Sequence, residues 1–129
     1  MTRWYLDTSA ALKLILEEPE SHALAEALDE EKPDLVATWL LDTEMRRAAH
    51  REAVLTQELV SRVLETVSLY EVPSSLFREA GLLPGPASRS LEALHLAGAV
   101  RIGVEHVVTY DARITESAIS LGLSVLAPA

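Results

Sequence analysis

Short apolar runs alternate with segments of helical periodicity along nearly the whole chain, and this alternation constrains the fold more than any other feature. The runs are Arg3–Leu6, Leu35–Thr38, Val67–Val72, His106–Tyr110 and Ser124–Leu126. Between them, apolar side chains recur at helical spacing over residues 10–16, 21–28, 40–53, 57–64, from about Ser88 to Arg101, and 112–121. Strands joined through helices pair in parallel, and the connecting helices cover the faces of the sheet. The expected architecture is therefore α/β: a three-layer α/β/α sandwich with a mainly parallel sheet of four to five strands, forming one domain over residues 1–129. Punctuation agrees with it, since Asp7 and Asp111 stand where helix caps belong, Pro73 ends the third run and Gly122 suits a helix C-terminus. The stretch Gly81–Pro86 reads as a hinge loop before the long helix.

At 129 residues, with 49% hydrophobic positions, the chain can bury one core. The absence of cysteine excludes disulfides, thiolate metal sites and a cysteine nucleophile. The start of the chain lacks the apolar run of a secretory leader, and no stretch approaches the roughly 18 apolar residues of a membrane span, so a cytoplasmic protein without membrane attachment is expected. The net charge of −9 is local: Glu17, Glu18, Glu20, Glu26, Asp29, Glu30, Glu31 and Asp34 face only Lys32 within residues 17–34. That segment reads as a solvated face or as a site for a basic partner segment. Elsewhere acids and bases nearly balance, and nine of the 11 basic residues are Arg, so a polyanionic substrate remains compatible with the composition.

In sheets of this kind, ligands bind at the carboxyl ends of the strands. Asp7 and Asp111 each stand at such an end, immediately before a helix, while Glu44 and Glu92 fall in the first turns of helices that begin there. Four carboxylates brought together repel one another unless a cation joins them, and hard oxygen donors without thiolates suit Mg²⁺ or Mn²⁺. Asp7 and Asp111 are equally suited to capping their helices; Thr8 and Ser9 can cap a helix or hold a water or a phosphate. His95, three residues after Glu92, reads as a structural histidine, a single Glu-x-x-His spacing being weak evidence for a ligand. Arg89 and Arg113 flank two of the acids as phosphate contacts or as surface ion-pair partners.

Four segments together resemble a known family. These are Tyr5-Leu6-Asp7-Thr8-Ser9-Ala10-Ala11-Leu12-Lys13-Leu14; Thr43-Glu44; Arg89-Ser90-Leu91-Glu92-Ala93-Leu94-His95-Leu96-Ala97; and Val108-Thr109-Tyr110-Asp111-Ala112-Arg113. In order and spacing the set is similar to PIN domain proteins, in particular the VapC type of ribonuclease toxin, and the likeness extends through the closing residues 121–128. The resemblance implies an α/β/α sandwich, a Mg²⁺- or Mn²⁺-dependent endoribonuclease, a homodimer and a cognate VapB-like antitoxin. Carried over by position, the family's acids fall on Asp7, Glu44 and Asp111. The fourth, usually Asp, is here Glu92, whose extra methylene displaces the carboxylate by about 1.5 Å, enough to disturb reaction geometry. Thr8, Ser9 and Thr109 match polar positions lining the family's site.

The chemistry so implied is hydrolysis of an RNA phosphodiester by a metal-activated water, with Asp7, Glu92 and Asp111 holding metal and Glu44 holding metal or orienting the water. An alternative is a degenerate domain, spoiled by Glu92, that binds RNA or a partner with little turnover. Phosphotransfer through Asp7 as nucleophile fits less well, because Ser9 stands where an Asp-x-Asp pair needs its second acid. An antitoxin tail would be expected in an apolar groove, with Leu12, Leu16 and Trp39-Leu40-Leu41 as candidates for that groove, for core or for a dimer contact.

Overall fold

The computed structural model describes residues 2–85 and 89–129. Five strands and seven helices follow one another as β1 (Arg3–Leu6), α1 (Thr8–Lys13), α2 (Ser21–Glu31), β2 (Asp34–Thr38), α3 (Leu40–Ala49), α4 (Gln57–Leu64), β3 (Ser68–Tyr70), α5 (Ser74–Leu82), α6 (Ser90–Ile102), β4 (His106–Val108), α7 (Ala112–Ser120) and β5 (Val125–Leu126). All strand pairs are parallel, in the order β3-β2-β1-β4-β5, with Tyr5 opposite Val36 on one side and Val107 on the other. The chain thus builds outward from β1 to β3, then crosses back to lay β4 and β5 on the other flank.

This reversal explains the layers. Right-handed crossovers that travel in opposite lateral directions place their helices on opposite faces. Accordingly α1–α4 cover one face, packing as α1 on α3 and α3 on α4, and α5–α7 cover the other, packing as α5 on α6 and α6 on α7. The main core lies along the sheet and includes Tyr5, Leu6, Leu24, Val36, Leu41, Met45, Leu96 and Val108; a smaller cluster of Leu76, Ala80, Ala93, Leu94 and Ala97 sits between α5 and α6. Helix α6 lies close on the sheet because residue 98 is glycine. A Cβ there would stand 2.7 Å from the Thr38 methyl.

The expected α/β sandwich is present, with all five strands, and three details differ. Helix α5 had no counterpart in the sequence reading, and Gly81 and Leu82 belong to it, so the connection to α6 begins at Leu83. Residues 40–53 do not form one helix, since α3 ends at Ala49. Leu41, a groove candidate, is fully buried in the core and unavailable to a partner, whereas Trp39 is 46% exposed. Pro86 and the expected helix start at Ser88 lie outside the described residues. The acidic segment 17–34 is mostly exposed along α2, with Lys13 bridging Glu18 and Glu20. Among the described residues, no helix is long and apolar enough to cross a membrane.

Candidate active site

The crevice of an open parallel sheet falls where strand order reverses, here between the carboxyl ends of β1 and β4. A cleft of about 600 Å³ opens there, lined by Asp7, Thr8, Ser9, Glu44, Arg89, Ser90, Leu91, Glu92, His95, Asp111 and Ile114. All four predicted acids meet at it. They arrive from the end of β1, from α3, from the first turn of α6 and from the start of α7.

Asp7 is 3% exposed, although a bare carboxylate is costly to bury. It occupies the N-cap position of α1 without capping through its side chain. Instead its Oδ2 accepts hydrogen bonds from Ser9 Oγ at 2.6 Å and Thr109 Oγ1 at 2.5 Å. Both hydroxyls are oriented in turn, because Ser9 Oγ accepts from the Tyr110 N–H and Thr109 Oγ1 from the Asp111 N–H. The β4–α7 connection therefore fixes the acid at the end of β1. Thr109 is fully buried, so it acts on Asp7 and not on a substrate.

Glu44 is held comparably. Its Oε1 accepts from Thr8 Oγ1 at 2.6 Å and lies 2.5 Å from His95 Nε2. Nδ1 of the same ring is 2.6 Å from the Tyr5 hydroxyl, and both Tyr5 and His95 are buried. Burial raises the Glu44 pKa, but the His95 and Thr8 hydrogen bonds outweigh it and hold the carboxyl below its ordinary value. Burial pushes the Tyr5 phenol well above its usual range, so it stays protonated. His95 is a core histidine, as expected, yet it also contacts a cleft acid. Tyr5 was not singled out as a site residue from the sequence, and the alternation of β1 is the signal that faces it toward α6.

The remaining acids are tied to backbone. Asp111 Oδ1 caps α7, accepting from the Arg113 and Ile114 N–H groups at 2.8 and 3.0 Å. Glu92 Oε1 accepts from the Arg89 N–H at 2.8 Å, the return arm of a capping box. Arg89 borders the cleft; Arg113 is exposed and does not line it.

Each of the four acids thus has one oxygen held by protein donors, and the second accepts no hydrogen bond from the described residues. No lysine or arginine pairs with Asp7 among the described residues. These hard oxygens, each with an open position, fit a divalent cation. No three Asp, Glu or His side chains among the described residues form a ready-made metal cluster.

Comparisons with known proteins agree with this fold. The PIN domain family model matches residues 4–119. Ribonuclease VapC35 of Mycobacterium tuberculosis is 38% identical over 130 residues, covering 96% of each chain, and ribonuclease VapC46 of the same organism is 37% identical, covering 99% of each. The structure of VapBC2 from Rickettsia felis bound to a DNA fragment from their promoter contains a chain of the same fold. It superposes with a TM-score of 0.69 at 11% identity, covering 97% of this chain and 98% of that one. The chain belongs to the PIN domain family, and within it to the VapC type.

Proposed function

We propose that this chain is a Mg²⁺- or Mn²⁺-dependent endoribonuclease and acts as the toxin of a VapBC-type pair. The observation that carries the reading is the convergence of Asp7, Glu44, Glu92 and Asp111 on one cleft with one oxygen of each left open. Relatives named ribonuclease VapC, matching over nearly the full length, support it.

Asp7 would be the central metal ligand, with Asp111 and Glu92 completing the metal shell directly or through water and Glu44 binding metal or orienting the attacking water. A bound divalent ion supplies a lowered water pKa and offsets charge gathering on the phosphate. The chain does the rest. Ser9 and Thr109 keep Asp7 aimed, Thr8 and His95 do the same for Glu44, and Arg89 at the rim meets a substrate phosphate. Because water attacks, products carry 5′-phosphate and 3′-hydroxyl ends. Single-stranded loops of folded RNA are the substrate class such an open cleft accommodates best. The same reading makes the protein a cytoplasmic, single-domain homodimer neutralised by a VapB-like antitoxin.

One observation favours the rival reading of a degenerate binding module: Glu92 is engaged in capping its own helix. The deciding experiment is incubation of a structured RNA mixture with the purified chain and Mg²⁺ or Mn²⁺, against a chelator control and the Asp7→Asn variant. Metal-dependent cutting that vanishes in the variant supports the nuclease. Metal binding with no cutting of any RNA supports the degenerate module, and 2′,3′-cyclic phosphate ends would overturn the water mechanism.

A further inference from the structure

One interaction crosses the sheet. Glu44 belongs to α3 on one face and His95 to α6 on the other, and their side chains meet over the carboxyl edge of the strands at 2.5 Å. The imidazole is 2% exposed, so its polar atoms need protein partners, and it has one at each nitrogen: Glu44 Oε1 at Nε2 and the Tyr5 hydroxyl at Nδ1. A phenol buried to 1% exposure must place its proton on an acceptor. Two groups bear on the phenol, Nδ1 of His95 at 2.6 Å and Thr38; with Nδ1 taking the phenol proton, that nitrogen carries none of its own. The ring proton then sits on Nε2 and points at Glu44.

We propose that His95 is a positioning residue for Glu44, locked by Tyr5 as its Nε2–H tautomer so that Oε1 is pinned and Oε2 alone is offered to the cleft. The inference rests on the nuclease reading for its consequence, and on geometry alone for the tautomer. It assigns a purpose to Gly98 as well. His95 and Gly98 lie three residues apart on one face of α6, and only a residue without Cβ lets that face settle on Thr38 and Tyr5, bringing the ring within reach of both partners.

The test uses the purified full chain and three readouts. Long-range ¹H–¹⁵N spectra at about pH 8, above the ordinary histidine value, report the tautomer without any catalysis. We expect His95 to be Nε2–H in the parent, and in Tyr5→Phe, which keeps the ring and removes only the hydroxyl, we expect the Nδ1 resonance to move to that of an acceptor without a donor. An Nδ1–H or doubly protonated His95 in the parent would overturn the proposal. Titration with Mn²⁺ alone is the second readout: His95→Leu should weaken binding about tenfold, in the range seen when groups that orient metal ligands are removed. His95→Gln, whose amide can stand in for Nε2–H, should recover most of that loss, with near-UV circular dichroism checking that each variant is folded. Third, a double-mutant cycle with Glu44→Gln should be strongly non-additive for Mn²⁺ affinity and kcat, because His95 acts through Glu44; additive losses would overturn the proposal. If the parent cuts no RNA, the nuclease reading fails, while the spectra and the Mn²⁺ cycle still decide the role of His95.

Discussion

The four cleft acids divide into two pairs by what holds them. Asp7 and Glu44 each depend on a side chain from a distant part of the sequence, beside the nearer hydroxyls of Ser9 and Thr8: Thr109 reaches Asp7 across 102 residues and His95 reaches Glu44 across 51. Asp111 and Glu92 are held by backbone N–H groups two or three residues away, as caps of their own helices. The first pair exists only in the finished tertiary structure, whereas the second is set by local helix chemistry. Under the proposed nuclease reading, carboxylates of the first kind are the ones oriented for chemistry. Those of the second kind perform a structural task that any helix start invites, and lend their free oxygen to the cleft.

The largest expected effect tests the first pair directly. Asp7→Asn should lower RNA cleavage on the order of 10²–10³-fold in kcat/KM with the fold retained, since Ser9 and Thr109 can still bond the amide oxygen; a steady-state assay with Mn²⁺ checks it. Glu44→Gln should cost about tenfold to a hundredfold in kcat, and it should also change the acid limb of stability. Glu44 has a folded-state pKa below its unfolded value, so its contribution is full above about pH 4.3 and is lost as pH falls through the folded value. The urea midpoint of the parent should therefore fall on acidification below about pH 4.5, and the variant should blunt that fall.

A third change reaches the first pair through packing. Gly98→Ala would drive a methyl against Thr38, itself buried and β-branched, and should destabilise by about 1–3 kcal/mol in urea unfolding, even though alanine favours helix. The smallest effect belongs to the second pair. Glu92→Asp shortens the arm that reaches the Arg89 N–H and should cost about 0.5–1 kcal/mol of stability with cleavage within about threefold of the parent. A much larger gain in cleavage would show that the extra methylene had been restraining the site, and would erase the distinction between the pairs.

The same division decides what could be read from the sequence. The parallel sheet was legible because its strands are short apolar runs separated by helical spacing, and the acids of both pairs were legible because strand ends and helix starts are local features. Helix α5 is poorly marked in the sequence: Leu76, Ala80 and Leu83 recur at helical spacing after Pro73, but the glycines and prolines that follow read as loop. What could not be read is how each acid is held. That Thr109 serves Asp7, or that His95 lies between Tyr5 and Glu44, depends on register between β1 and β4 and on the close approach of α6, and neither leaves a periodic mark on the chain. Glu44 is the clearest case: by sequence it is one charge among several on a helix, and only the opposite layer singles it out.

The central place of β1 has a consequence for synthesis. Strand β1 is flanked in the finished sheet by β2 and by β4, and the residues of β4 emerge a hundred positions after it. A ribosome adding about 5–20 residues per second exposes Asp7 seconds before Thr109 and Asp111 exist to complete its surroundings. Any chain stalled or cut before β4 keeps an open flank on β1 and an unfinished cleft. Under the nuclease reading, the chemistry of the cleft therefore waits on β4, and a chain cut before it lacks both Thr109 and Asp111.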